Sequence, residues 1–178
     1  MKVISLLQPW ASLLVRGAKM VETRSWPTNY RGPIFIHASG SLNKKYKDSE
    51  MTPALMSLES FFKGFIKPQE LVFGQVIGMV NIGTCVSTEE IKPHLSEQEI
   101  AFGDYETGRW AWQCYSPVEF TNPFPLKGQL GIRDIPGGAN LCAGCDLGYF
   151  PNKHGMHPLS NDPDCESFLV CVNMKDKV

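Results

Sequence analysis

Leu6 to Trp26 reads "LLQPWASLLVRGAKMVETRSW". Trp10, Leu13 and Leu14 fall at i, i+3 and i+4, the period of one helix face. Pro9 suits a first helical position and Gly17 a C-terminal stop, so the spacing predicts a short helix over residues 9–16. Beyond Gly17 the chain is expected to extend. On a strand, Met20, Glu22 and Arg24 would share one face, and Lys19, Val21 and Thr23 the other. Three charges of unlike sign within six residues, closed by Trp26, either decorate a solvated turn or aim at a ligand.

The segments that follow are mostly strand-like. In "RGPIFIHAS", residues 31–39, Ile34, Ile36 and Ala38 alternate with Phe35, His37 and Ser39, which predicts a strand. "TPALMSLESFFKG", residues 52–64, has a Thr52 cap, Pro53 in the first turn and a stop at Gly64, and so predicts a helix. "FGQVIGMVNIGTCV", residues 73–86, is a long β-rich run whose glycines suggest bends or bulges. "SEQEIAFG", residues 96–103, opens on a capping box from Ser96 to Glu99 and stops at Gly103. "RWAWQCY" and "LKGQLGIRDI" predict two closing strands. Several short strands with a few short helices, lacking regular βαβ alternation, indicate an α+β, mainly β domain: a mixed small β-barrel. No internal repeat interrupts it.

The 178 residues suit one domain, or one domain with a small appendage. Lys and Arg number 17 against 18 Asp and Glu. A non-specific polyanion binder normally carries a basic excess, so any nucleic-acid contact here must come from a local cluster. The opening "MKVISLLQPW" is too short for a signal-peptide core, and no run approaches the roughly 18 apolar residues of a membrane span. A soluble intracellular, cytoplasmic protein is the expectation.

From about Gly137 the character changes to Gly, Pro, Asn, Asp and Cys with little periodicity, and four of the six cysteines fall after residue 141. Cys142 and Cys145 have the knuckle spacing that brings two thiolates to one tetrahedral zinc, and His157 and Cys165 complete a Cys3His set. His154 and Cys171 are spare candidates. The bland alternative is a set of buried free thiols with two surface histidines. Four ligands leave no open position for water, so the expected zinc is structural. Two units are expected, 1–136 and a zinc-binding extension at 137–178. Cys85 and Cys114, on predicted strands, read as small core residues.

"QPWA" (Gln8–Ala11) followed by Gly17, Lys19, Glu22 and Arg24 closely resembles the signature of the ASCH domain family, a branch of the PUA-like superfamily. "RGPIFIHAS", "FGDYETGRWAW" and "PLKGQLGI" resemble that family's later blocks in the same order, so the resemblance covers roughly residues 2–135. It implies a small β-barrel with a cleft beside the helix and the Gly-Lys-Glu-Arg turn, and a nucleic-acid-binding role, with RNA the expected ligand. Some members are enzymes: an amidohydrolase acting on acylated cytidine, and a ribonuclease. In the amidohydrolase branch the nucleophile position is a threonine, whereas this chain has Glu22. A carboxylate does not simply replace a hydroxyl in acyl transfer, although it can activate a water.

The residue types suit such a cleft. Lys19 is a compact cation for a phosphate or oxyanion, and Arg24 can fork onto a phosphate or onto Glu22. Glu22 can accept from a base amine or act as a base. Trp10, Trp26 and Trp110 offer stacking faces, Arg109 a second guanidinium, and Gln8, His37 and Ser39 complete the candidate nucleic-acid-binding set. Each has a plainer reading. Lys19 can be a surface lysine, Glu22 and Arg24 a structural pair, Trp10 a core residue and His37 a satisfied interior histidine; Asp104 and Tyr105 can simply form a turn. Three functions follow: a module that binds nucleic acid or a modified nucleotide; a hydrolase acting on RNA or a modified nucleoside, with Lys19, Glu22 and Arg24 as its catalytic groups; or a scaffold whose zinc extension docks a protein partner.

Overall fold

A computed structural model describes residues 1–40, 65, 67 and 70–135. The helix expected over 52–64, the extension at 137–178 and its candidate ligands Cys142, Cys145, His157 and Cys165 lie outside the described residues.

The described chain forms β1 (Lys2–Leu6), α1 (Trp10–Val15), β2 (Val21–Arg24), β3 (Gly32–Ala38), β4 (Gln75–Ser87), α2 (Thr88–Ile91), a 3-10 turn (Lys92–His94), α3 (Glu97–Ala101), β5 (Trp110–Pro125) and β6 (Ile132–Asp134). The six strands make one sheet in the order β2-β5-β4-β3-β1-β6. β1 runs parallel to β3, and every other pairing is antiparallel. The long β4–β5 ribbon shifts register between Val76 and Gly78, Met79 and Asn81, and Ile82 and Cys85. Such irregularities bend and twist paired strands. The sheet therefore curls into a half-barrel, in line with the expected mainly β fold, and among the described residues β2 and β6 are its edges.

Strand β3 is buried on both faces, as its unbroken apolar run requires. Ile34, Ile36 and Ala38 join Leu14, Val15, Ile77, Val80 and Trp112 under α1. Phe35 points the other way, into a second cluster with Val3, Val76, Met79, Phe120 and Phe124. Helix α1 has six residues, too few to persist alone in water, so packing must hold it. It buries Leu13, Leu14 and Val15, each contributing roughly 1.5–3 kcal/mol. Gly78 permits that contact. A Cβ there would lie 2.7 Å from Val15 Cγ1 and 2.2 Å from the Val118 carbonyl.

Two boundaries differ from expectation. Pro9 is the cap of α1 rather than its first residue, its carbonyl accepting from Leu13 N–H at 3.0 Å. "LKGQLGIRDI" contributes only Ile132–Asp134 to the sheet, whereas "RWAWQCY" continues to Pro125. No helix among the described residues is long and apolar enough to cross a membrane.

Candidate functional site

Gly17 ends α1 with φ at +72°, a left-handed conformation that glycine adopts freely. The chain then doubles back, and Lys19 N–H donates to the Leu13 carbonyl at 3.1 Å. This aims the Lys19 side chain inward just before β2 pairs with β5, where Glu22 lies opposite Trp112 and Arg24 opposite Trp110. The turn, the start of α1, the end of α3 and Arg109 enclose a cleft of about 300 Å³. Its wall includes Trp10, Lys19, Glu22, Thr23, Arg24, Phe102, Asp104 and Arg109.

Lys19 is 1% exposed. Its Nζ donates to Glu99 Oε1 at 3.1 Å and stands 5.7 Å from the centre of the Tyr105 ring. Glu99 gathers four donors onto one carboxylate. Oε2 accepts from Met20 N–H at 2.7 Å, and Oε1 accepts from Val21 N–H at 3.2 Å and from the Tyr105 hydroxyl at 3.1 Å, besides Lys19. Burial, then the adjacent Glu99 carboxylate, pushes the Tyr105 phenol far above its ordinary range, so it stays a donor. The Ser96–Glu99 capping box is therefore half formed. The Ser96 hydroxyl accepts from Glu99 N–H at 3.2 Å, while the Glu99 side chain has left the helix end for the β2 turn.

Glu22 is 8% exposed. Its contact with Arg24 Nη1 is 3.5 Å, longer than an ordinary charge-assisted hydrogen bond. Burial raises the affinity of its carboxyl for a proton; Lys19, Arg24 and Arg109 pull the other way without overturning it. The Arg24 side chain is 24% exposed and lies 5.7 Å from the centre of the Trp26 ring. Arg109 is held by Asp104 Oδ2 at 3.2 Å and donates to the Thr23 carbonyl at 3.3 Å.

Five of the ten residues expected in the nucleic-acid set line this cleft: Trp10, Lys19, Glu22, Arg24 and Arg109. The others do not. Gln8 bridges the Val72 carbonyl and Ser12 N–H at the start of α1. Trp26 meets Trp112 edge-on at 4.6 Å, and Trp110 is partly buried against the main core. Ser39 continues β3 through Ser39 N–H to the Leu6 carbonyl. His37 is buried; Nε2 donates to the Leu126 carbonyl at 2.8 Å, which leaves Nδ1 to accept from the Ser5 hydroxyl at 3.0 Å. Burial also lowers its proton affinity, so it is a neutral interior histidine. Among the described residues no group of three or more His, Cys, Asp or Glu could hold a metal.

Sequence reasoning missed Glu99, Asp104 and Tyr105 as parts of the site. Glu99 was visible only as a helix-capping residue, because its three partners at the β2 turn stand 78–80 positions away.

Residues 4–124 match the ASCH domain family. The chain belongs to that family. Two relatives are activating signal cointegrator 1 of Mus musculus and of Homo sapiens, each 34% identical over 129 residues. The match covers 72% of this chain and 21% of each relative, so the chain spans about a fifth of the length of these proteins. The crystal structure of ASCH from Zymomonas mobilis is also similar, with 20% identity and a TM-score of 0.41 over 70% of this chain and 73% of that one. A serine-to-alanine mutant of the same protein gives 18% and 0.45 over 75% and 87%. The ASCH match spans α1, the Lys19–Arg24 turn, α3 and most of β5, so the whole cleft lies inside the family domain.

Proposed function

We propose that this ASCH domain binds single-stranded nucleic acid, with RNA the expected ligand, and seats one nucleotide in the cleft. One observation carries the reading: Arg24 and Arg109, the Trp10 indole and a buried Glu22 converge on a space of about 300 Å³. That volume is at the low end for small-ligand sites, about 300–1,000 Å³, and admits a nucleotide but not a duplex. Arg24 is the phosphate contact, being partly exposed and, among the described residues, paired with a carboxylate only through the long Glu22 contact. Trp10 is the stacking face. Lys19 acts through the fold, since its ammonium is committed to Glu99.

The test is Arg24→Ala, with fluorescence anisotropy on a labelled uridine pentamer at several salt concentrations. Affinity is expected to fall about tenfold and the salt slope to flatten by about 0.7, the share of one single-strand phosphate contact. An unchanged slope removes Arg24 from the interface. A hydrolase reading has one observation in its favour: the raised proton affinity of Glu22 suits a general base. Strand cleavage or deacylation that disappears in Glu22→Gln would establish it.

The extension is proposed to hold one structural zinc through Cys142, Cys145, His157 and Cys165. Elemental analysis of protein expressed with ample zinc should find about one zinc per chain, since four ligands make one site. Finding none would leave the four residues without that role.

A further inference from the structure

Glu22 is not explained by phosphate binding. A carboxylate has about four acceptor positions, and a buried one left short of donors is costly. Among the described residues the Glu22 carboxyl meets a single donor, Arg24 Nη1, at 3.5 Å. Glu99, no less buried, receives four donors, three of them between 2.7 and 3.1 Å. The fold can thus satisfy an interior carboxylate, yet it leaves the one that lines the cleft open.

Resting on the nucleotide-binding reading above, we propose that Glu22 is the specificity-determining residue of the cleft, selecting guanine by accepting the two adjacent N–H donors of its Watson–Crick edge. Two oxygens side by side with no hydrogen between them ask for a donor pair. Guanine presents one at N1 and N2. Adenine and cytosine set a single donor beside an acceptor, and uracil sets its donor between two acceptors. Each of these turns a lone pair toward the carboxylate. A donor pair also replaces the water that burial has stripped from Glu22, and favours the ionised form that Lys19, Arg24 and Arg109 already favour. Arg24, beside Glu22 on the same strand face, stays available to the phosphate, and Trp10 to the ring.

The experiment compares uridine pentamers bearing a central guanosine, inosine, adenosine or cytidine on the wild-type protein, again by fluorescence anisotropy. Guanosine should bind tightest. Inosine, which lacks only the N2 amine, should lose about tenfold, and adenosine and cytidine roughly 10–100-fold, the range for hydrogen bonds to a charged group. Glu22→Gln should bring all four within about threefold of one another. Equal binding of guanosine and inosine overturns the assignment while leaving nucleotide binding intact, as does a guanosine preference that survives Glu22→Gln. Binding of none of the pentamers overturns both the assignment and the reading beneath it. Should the glutamine variant not fold, the inosine comparison on the wild type decides alone.

Discussion

Two acid–base pairs meet at one short turn of this chain and are built in opposite ways. Lys19 and Glu99 meet at 3.1 Å, nearly free of solvent, and Glu99 takes three further donors. Glu22 and Arg24, on the next strand face, stand 3.5 Å apart, and the arginine is partly exposed. The first pair clamps helix α3 to the β2 turn, and its carboxylate has no acceptor left to offer a ligand. The second has unspent acceptors and a partly exposed guanidinium. A charge pair near a cleft is thus not functional because it is charged; what separates the two is whether hydrogen-bonding capacity has already been used.

The sharpest way to break this contrast is Glu99→Ala. It leaves the Lys19 ammonium buried without the Glu99 counter-charge and strips the Met20 and Val21 N–H groups, at the start of β2, of their acceptor. Losing one partner of a buried pair costs about 3–5 kcal/mol. At this chain length that lowers the melting temperature by roughly 6–20 °C. Glu99→Gln keeps the shape and one acceptor oxygen, and is expected to cost less, about 1–3 kcal/mol. Calorimetric melting of both variants checks the order. A Glu99→Ala protein as stable as the wild type would dissolve the clamp.

Much of this was legible in the sequence, and the failures share a cause. Helix α1, strands β3, β4 and β5 and the Gly17 stop are each spelled within their own stretch of chain, and period and turn chemistry reveal that spelling. The Lys19–Glu22–Arg24 cluster was legible because one short stretch of chain carries it. Glu99 was not, because a capping box and a long-range clamp have the same local spelling. The side chain chooses between them only once α3 lies on the β2 turn. His37 misled for a related reason. Its strand face was read correctly, but which side of the half-barrel that face would meet depends on Ser5 and Leu126, far away in the chain.

The smallest effect gives the finest discrimination. Glu22→Gln in the ligand-free protein should cost nothing near pH 4 and should stabilise the fold as pH rises, because it removes a buried charge that lacks adequate partners. The sign follows from linkage. The folded carboxyl titrates above the ordinary glutamate value of 4.5. As pH rises past that value the unfolded chain gives up its proton while the folded chain still holds one, so wild-type stability declines until the raised folded value is passed. Glutamine does not titrate. The advantage of the variant should therefore be absent near pH 4, grow through the acid range, and level off once Glu22 is ionised in both states. Urea midpoints at about pH 4, 6 and 8 measure it. A variant less stable than the wild type at pH 8 would mean that Glu22 is held as firmly as Glu99, and the cleft would lose the feature that distinguishes it from the clamp.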